Sequence, residues 1–268
     1  MKLKTFLLLA LCTTAFISCN KDDEDIIYEK TDYVYIPRKC NFIWAHNAKL
    51  VTEQQGTSAN TLVQPIDMGT NVAVKDYILG FSTCNKAWDY ILPSMSDQTY
   101  AEQFRTGEID SMLAPAYTML DFQMNDEHDK AIEQKLDDYF MPSTRLNLIF
   151  IEYRTTPIKN IKITSSVAVN GIAPGESLNS LFTIFGYANR HDFIITADKD
   201  LITDNNKLYN IPLDQFVSYH PMAPTAMKMK FIDGVTIEKS EDATFHIEIT
   251  TDDGKVLTTD TRSVHLEP

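Results

Sequence analysis

The C-terminal part of the chain alternates apolar and polar residues. In FHIEIT, residues 245–250, every apolar residue is followed by a polar one, which is typical of a strand with one face in the core and the other in water. Asp253 and Gly254 follow, and both residue types tolerate the backbone of a tight hairpin. Strand character resumes at residues 256–259 and 264–266. The pattern therefore predicts that the chain ends in antiparallel sheet.

Further strand patterns extend this prediction to most of the chain. Residues 146–153, LNLIFIEY, are apolar or aromatic at nearly every position, which indicates a central strand covered on both faces. Alternation returns in residues 158–164, after a proline. Shorter patterns occur at residues 33–36, 41–45, 72–81, 193–196 and 227–232. Together the segments predict a mainly β protein, folded as an antiparallel β-sandwich that is immunoglobulin-like or related.

Helical periodicity is limited, so the sandwich is expected to carry one or two short helices. An amphipathic helix is predicted over residues 125–140, because apolar residues recur at every fourth position from Ile132 to Phe140. Acidic residues precede this segment, where the helix dipole favours negative charge. Asn125 or Asp126 is the predicted N-cap. A second short helix is predicted over residues 98–105.

The first 18 residues read as an export signal. Lys2 and Lys4 precede an apolar run that is shorter than the roughly 20 residues a membrane-spanning helix needs. Cys19 follows the small residue Ser18, and this boundary resembles the bacterial lipobox, whose cysteine becomes acylated. Cys12 is the weaker candidate, because a bulky leucine precedes it. The alternative is an ordinary secretory signal with an incidental cysteine.

Residues 19–32 are predicted to form an acidic, flexible tether. Residues 21–24, KDDE, resemble the lysine-plus-acids signal that sends Bacteroides-type lipoproteins to the outer face of the outer membrane. A charged run without apolar residues also makes a solvated spacer, and the two interpretations are compatible. We therefore expect a lipid-anchored, surface-exposed outer-membrane protein, with one β-rich domain over residues 33–268.

The acidic charge of the chain argues against nucleic acid as a partner. Its formal net charge is −13, from 24 basic and 37 acidic residues, and removal of residues 1–18 takes away two of the lysines. No basic footprint for nucleic acid is present. The membrane is expected to be contacted through the N-terminal lipid, because an acidic domain is repelled by anionic lipid.

Two cysteines besides the lipidated one lie in the exported part, Cys40 and Cys84. An even number of cysteines in an oxidising compartment predicts a disulfide between them. The alternative is a pair of buried, reduced thiols, because sequence spacing does not show that the two sulfur atoms meet.

Signatures of catalysis or of metal binding are missing from the sequence. The six histidines show no HExxH pairing, and the chain has no GxSxG motif and no glycine-rich phosphate loop. We therefore predict no metal and no cofactor. The acids of residues 126–129 are explained by the helix start. The 37 acidic residues leave open a pair of carboxylates dispersed along the chain, as in glycosidases.

Aromatic residues suggest one binding mode. Trp44 and Trp88, with Tyr77, Tyr90 and Tyr100, would form a platform for stacking on sugar rings if they were exposed together. The alternative is that these residues pack in the core, where large aromatic side chains usually contribute most.

Several segments resemble a family of small Bacteroides-type surface lipoproteins: PIKNIKITSS (157–166), PGESLNSLF (174–182) and TTDDGKVLTTDT (250–261). The resemblance implies an outer-membrane location and a β-rich fold, and it implies no activity and no site residues. We favour a non-catalytic surface lipoprotein that binds a glycan or protein or forms part of a cell-surface assembly. The alternative is a surface hydrolase that acts on polysaccharide or peptide through dispersed carboxylates.

Overall fold

Strands make up most of the computed structural model of the protein, which describes residues 33–55, 58–66, 70–85, 127–140, 149–187 and 193–268. The strands are β1 (Tyr33–Arg38), β2 (Phe42–Gln55), β3 (Ser58–Pro65), β4 (Asn71–Ala73), β5 (Tyr77–Cys84), β6 (Ile149–Arg154), β7 (Ile158–Ser165), β8 (Phe182–Tyr187), β9 (Ile194–Ile195), β10 (Leu201–Ile202), β11 (Ala226–Phe231), β12 (Glu241–Ala243), β13 (Phe245–Thr251), β14 (Val256–Asp260) and β15 (Val264–Glu267). The helices are α1 (Lys130–Tyr139), α2 (Asn205–Leu208) and α3 (Leu213–Ser218), and 3-10 turns lie at Val74–Asp76 and Asn179–Leu181.

Some sequence predictions fall outside these residues. They are the signal, the tether and the lipidation site Cys19, the tryptophan Trp88, and the second helix over residues 98–105.

The strands form a β-sandwich, which confirms the predicted mainly β, antiparallel fold with few short helices. One layer is a five-stranded antiparallel sheet in the order β3-β2-β5-β11-β8. The other layer contains the sheets β14-β13-β7 and β12-β15-β4. Among the described strands, the pairs β1–β6 and β15–β4 are parallel. Most of the ladder is therefore antiparallel, as the alternating segments predicted.

Four aromatic rings fill the space between the two layers. Tyr77 of β5 stacks on Phe245 of β13 with ring centroids 5.0 Å apart, and Phe182 stacks on Phe231 at 4.4 Å. The Tyr77 hydroxyl donates a 2.6 Å hydrogen bond to Asn47, so its burial leaves no unpaired polar atom there. Stacked and tilted rings add packing energy to the apolar area they remove from water.

The C-terminal hairpin forms as predicted. β13 pairs with β14 through residues 246–250 and 256–260, and Gly254 in the connecting turn has a φ of +84°, a conformation that favours glycine. Phe245, Ile247 and Ile249 are buried. The period-two pattern therefore identified both the strand and its core face.

Two predictions in the middle of the chain need correction. Residues 146–153 were expected to form a central strand of the sandwich, but β6 pairs with β1 in a separate two-stranded parallel sheet. Its apolar character is explained by α1, which packs on it. The N-cap of α1 is Asp129, not Asn125 or Asp126, because residues 127–129 are not helical.

The predicted disulfide is absent, since no S–S bond joins Cys40 and Cys84 in the structure. Cys84 lies opposite Phe42 in the β2–β5 ladder, and the amide of Asn41 donates to its carbonyl oxygen. Cys40 therefore lies two residues beyond the ladder partner of Cys84. Burial raises the pKa of the Cys40 thiol to about 12, so this thiol is protonated at neutral pH.

His46 occupies a tight site on the face of the five-stranded sheet opposite the core. It is buried and pairs across the ladder with Gly80, which in turn pairs with Lys228. A Cβ atom on Gly80 would lie 2.0 Å from Nε2 of His46. Burial, followed by the Lys228 ammonium, lowers the pKa of His46 to about 3. The ring is therefore neutral and is accommodated only because residue 80 lacks a side chain.

We predict that Gly80→Ala destabilises the protein by about 3 kcal/mol, near the upper end for overpacked cores. In a His46→Ala background the same change should cost much less, because the clashing ring is gone. Gly186→Ala is the matched control, since nothing lies within 4 Å of a Cβ atom there. Urea unfolding of the four variants measures the interaction energy between residue 80 and the His46 ring. A Gly80→Ala protein as stable as the wild type would contradict the predicted clash.

We also predict that His46 makes the fold sensitive to acid. Its pKa in the folded state is about 3, below the ordinary 6.5, so protons bind preferentially to the unfolded chain. This preference does not affect the free energy of unfolding above about pH 6.5, and it lowers that free energy by at most about 5 kcal/mol as the pH falls toward 3. His46→Gln should lose less stability than the wild type between pH 7 and pH 4, measured by urea midpoints. Parallel curves for the two proteins would rule out this contribution.

Candidate functional site

Helix α1 begins at the edge of an open, polar cleft. Its apolar face, which includes Ile132 and Leu136, packs in a second hydrophobic cluster with Ile151 and Tyr153 of β6. Residues four apart lie on one side of a helix, so the periodicity seen in the sequence becomes the buried face. The start of α1 is held close to the end of β6.

Asp129 fixes the first turn of α1. Its Oδ1 accepts hydrogen bonds from the amides of Ala131 at 3.1 Å and Ile132 at 3.4 Å, and its Oδ2 lies 2.8 Å from Nζ of Lys199. Burial opposes ionisation of this carboxyl, but Lys199 and the two amides outweigh it and hold the pKa of Asp129 below its ordinary value. Asp129 is therefore a charged helix cap.

A buried hydroxyl connects this cap to β6. The Asp129 amide donates to the Tyr153 hydroxyl oxygen at 3.0 Å, and that hydroxyl donates to Oε1 of Glu133 at 3.0 Å. Burial, with a further contribution from Glu133, raises the pKa of the Tyr153 hydroxyl. Nδ1 of His128 lies 2.5 Å from the same Glu133 oxygen. His128 is thus oriented by a carboxylate that is itself held by a buried tyrosine.

The end of the parallel β1–β6 pair supplies the opposite side of the cleft. Arg38 pairs with Arg154 in this ladder, so Lys39 and Thr155 emerge next to each other at the same edge. The amide of Thr155 donates to the carbonyl oxygen of Arg38 at 3.0 Å. Parallel pairing thus brings together two residues that are more than one hundred positions apart in the sequence.

A turn after β9 supplies the third side. The Lys199 amide donates to the carbonyl oxygen of Thr196, and the Thr196 amide donates to that of Asp200. Two ion pairs attach this turn to α1: Lys199 with Asp129 at 2.8 Å and Lys135 with Asp200 at 2.5 Å. The turn therefore has a defined position relative to the helix start.

The resulting cleft has a volume of about 510 Å³, within the range of ligand sites. Lys39, Glu127, His128, Asp129, Lys130, Ala131, Thr155 and Lys199 line it. Three of these residues carry ammonium groups and two carry carboxylates, while the whole chain has a net charge of −13. The lining is thus polar and locally more basic than the rest of the protein.

Two residues of the suggested sugar-stacking platform, Trp44 and Tyr77, lie among the described residues. Tyr77 is completely buried in the sandwich core, so its assignment to an exposed platform is wrong. Trp44 is partly buried on β2, and Trp88, Tyr90 and Tyr100 lie outside the described residues. Tyr77 is instead a core residue, because its ring lies between the two layers of the sandwich.

Another aromatic group lies at the far end of α1. Tyr33 and Phe140 have ring centroids 5.1 Å apart, and Phe140 and Phe193 are 6.2 Å apart. Tyr139 is partly exposed beside them. The sequence pattern indicates only that Phe140 lies on the apolar side of the helix, because Tyr33 comes from β1 and Phe193 from the segment before β9.

A second cavity surrounds a buried ion pair. Arg154 bonds to Glu152 and to the carbonyl oxygen of Thr83, and its Nε donates to Thr83 Oγ1 at 2.7 Å. The enclosed volume is about 30 Å³, which is the space of a single water molecule. This network links β6 to β5 and leaves no room for an organic ligand.

Other titratable groups form pairs on the surface. His220 contacts Asp252 at 2.6 Å, His246 contacts Asp260 at 2.8 Å, and His265 contacts Asp242 at 2.7 Å. His246 and His265 are partly exposed and lie on the outward faces of their strands, β13 and β15. Within the described part of the chain, no group of three or more His, Cys, Asp or Glu residues is placed to hold a metal ion.

No pattern in the sequence identifies the cleft residues as a group. Lys39, His128, Thr155 and Lys199 belong to four segments that only the fold brings together. Asp129 is confirmed as an acid of the helix start, whereas Asp126 lies outside the described residues. The five-residue separation of His128 and Glu133 was the one local signal available, and it matches no recognised motif.

Comparisons with known proteins add little to this description. No protein-family model matches the chain, and no curated protein matches it. Among solved structures, one that is similar is the major pilin subunit of Bacillus cereus, with 9% identity and a TM-score of 0.15, over 90% of this chain and 70% of that chain. A TM-score this low does not support a shared fold. Among the described helices, none has the length and apolar character needed to cross a bilayer.

We predict that Asp129→Ala destabilises the protein by about 1–2 kcal/mol, because it removes the cap. Asp129→Asn keeps a cap and loses only the partly exposed pair with Lys199, so it should cost less than about 1 kcal/mol. Because the folded-state pKa of Asp129 is lowered, its charge stabilises the fold at pH 7, and this is lost as the pH falls below the ordinary carboxyl range. Thermal unfolding at pH 7 and pH 3 measures both effects. Equal losses for the two variants at pH 7 would show that the cap contributes nothing.

Proposed function

We propose that the protein is a lipid-anchored, non-catalytic lipoprotein of the outer-membrane surface whose β-sandwich domain binds a glycan or a protein. The carboxylates around the cleft are the observation that carries this proposal. Asp129 is engaged by two helix amides and Lys199, and Glu133 is engaged by Tyr153 and His128. Groups held in this way are suited to maintaining the shape of a binding site.

The alternative, a surface hydrolase, requires different chemistry. A glycosidase uses two carboxyl groups about 5–9.5 Å apart, one of which carries a proton at working pH. The lowered pKa of Asp129 opposes a role as proton donor, and a carboxylate that caps a helix is not free to attack a sugar. The cleft geometry therefore favours binding over hydrolysis.

The anchor rests on the sequence. An acylated Cys19 would contribute roughly 0.8 kcal/mol per buried CH₂ group, so several acyl chains would hold the protein at the membrane. The acidic residues that follow Cys19 would keep the domain in water. The proposed protein therefore has one end in the lipid and a soluble domain that meets external ligands.

We predict that Cys19→Ala abolishes membrane association, because it removes the acylation site. Cys12→Ala is the matched control and should leave the protein in the membrane fraction. Neutralising residues 21–24 should preserve the anchor and reduce digestion by protease added to intact cells, because these residues are proposed to direct surface export. Cell fractionation and protease shaving measure the two properties.

Membrane retention of Cys19→Ala would contradict the lipid anchor. Unchanged protease digestion after neutralisation would contradict the export role of residues 21–24. Binding is tested separately, by incubating the purified full chain with polysaccharides and peptides and analysing both retention and products. If the wild type cleaves a polysaccharide or peptide and Glu133→Gln does not, the protein is a hydrolase and the proposed binding function is wrong.

A further inference from the structure

We propose that the outer strand β3 pairs with the same strand of a second copy of this chain, so that two five-stranded sheets join across a two-fold axis. The inference goes beyond the proposed function, because it names an interface that is separate from the cleft at the start of α1. It depends on the open edge of β3, on the absence of charge along that edge, and on the apolar side chains that a two-fold arrangement brings together.

β3 has one ladder partner. It pairs with β2 along its eight residues, from Ser58 to Pro65, and no other strand in the described part of the chain pairs with it. The ladder between β2 and β5 ends at Lys49, so the hairpin of β2 and β3 extends beyond the rest of the sheet. A long strand that is paired on one side only offers its remaining backbone groups to another chain.

The outer strands β8 and β7 are covered by other segments. At the opposite edge of the five-stranded sheet, the amide of Ile184 in β8 donates to the carbonyl oxygen of Ile211. In the other layer, the amide of Leu178 donates to the carbonyl oxygen of Ile163 in β7. No segment among the described residues covers β3 in this way. The open edge is therefore a specific feature of β3 and not a general property of the outer strands.

The ladder with β2 shows which backbone groups of β3 face the open edge. The amide of Ile66, one residue after β3, donates to the carbonyl oxygen of Asn47 at 3.4 Å. Hydrogen-bonded and non-hydrogen-bonded pairs alternate along an antiparallel ladder, so the N–H and C=O groups of Thr61 and Val63 point away from β2. Pro65 follows the same alternation, because a proline is tolerated where the N–H group would face outward.

The absence of charge makes a second copy the partner that fits this edge. Residues 58–65, SANTLVQP, include no charged side chain, although 23% of the chain is charged. Soluble proteins usually protect an open edge with lysine, proline or an inward-pointing charge, and here only the last position is protected. Two copies with a net charge of −13 each repel one another, so an uncharged strand is where they can approach most closely.

Antiparallel pairing of two β3 strands has a preferred register, with Leu62 opposite Leu62 of the second copy. Leu62 is 42% exposed and lies opposite the partly exposed Val51 of β2. Cross-strand neighbours share a face, so this register forms one row of four apolar side chains across the joined sheet. It also places Thr61 opposite Val63 of the second copy, which pairs their outward-facing backbone groups and brings two β-branched side chains together.

The test measures self-association of the full chain in detergent by analytical ultracentrifugation at several concentrations. We expect a dimer that dissociates on dilution, as for other small interfaces. Leu62→Lys should raise the dissociation constant at least about tenfold, because it removes the apolar row and sets like charges directly opposite each other. Thr61→Pro should also weaken the dimer, since it removes an amide that faces the open edge and leaves the β2–β3 ladder intact.

The matched control is Val256→Lys, which makes the same kind of change at a 52% exposed apolar position of the outer strand β14. It should change the dissociation constant by less than about twofold, and unfolding temperatures should show that all variants are folded. Equal weakening by Leu62→Lys and Val256→Lys would overturn β3 as the interface. A wild type that stays monomeric at every concentration would overturn the pairing itself.

A covalent test checks the symmetry and the register. The two copies of residue 62 form a non-hydrogen-bonded pair, with Cα atoms about 4.5 Å apart, and a disulfide can span this distance. Mild oxidation of Leu62→Cys should therefore give a disulfide-linked dimer on a non-reducing gel. The wild type, which keeps its native cysteines, and Val256→Cys should give little dimer under the same treatment.

Two further results would overturn the proposal. Equal cross-linking of Leu62→Cys and Val256→Cys would show that the two copies meet without the proposed register. A monomeric protein that binds an extended peptide, and loses that binding in Thr61→Pro, would overturn the second copy in favour of a different chain. Each of these results leaves the proposed binding function intact, because that function is assigned to the cleft.

Discussion

The stacking of Tyr77 on Phe245 is the contact on which the sandwich depends. It joins β5 to β13, at a centroid distance of 5.0 Å, and so fixes one layer against the other. The Tyr77 hydroxyl is satisfied by Asn47 of β2, whose amide nitrogen in turn donates to the carbonyl oxygen of Arg262 at 2.8 Å. A buried polar group with a single set of partners allows few alternative registers. The aromatic core therefore fixes the arrangement of the layers as well as stabilising them.

A second core, formed by α1 on the β1–β6 pair, carries the candidate site. Arg154 of β6 connects it to the sandwich through Thr83 of β5, so removal of either partner would leave a buried polar group unpaired. Tyr153, the neighbour of Arg154, points its hydroxyl to the helix start. Adjacent residues of one strand point to opposite sides, so β6 contacts the sandwich with one and shapes the cleft with the other.

The site combines rigid structure with a polar, open lining. The Asp129 carboxylate is occupied by the helix cap and the Glu133 carboxylate by Tyr153, while Lys39 and Lys130 are exposed and Lys199 is partly exposed. Such a division is typical of binding surfaces, in which supporting interactions fix the backbone and exposed groups meet the ligand. The proposed binding function would need charges at defined positions and not a reactive group of altered pKa.

The sequence by itself determined the class of fold, the C-terminal hairpin and the amphipathic helix, because each depends on the periodicity of neighbouring residues. Tertiary structure decided the rest. Residues 146–153 are apolar on both faces whether a second sheet or a helix covers them, so their pattern did not reveal the separate parallel pair with β1. Tyr77 is aromatic in a platform or in a core, and only the facing layer made it a core residue. The cleft joins Lys39, His128 and Lys199 across long sequence separations, and no local pattern encodes a distance that is set by the packing of other residues.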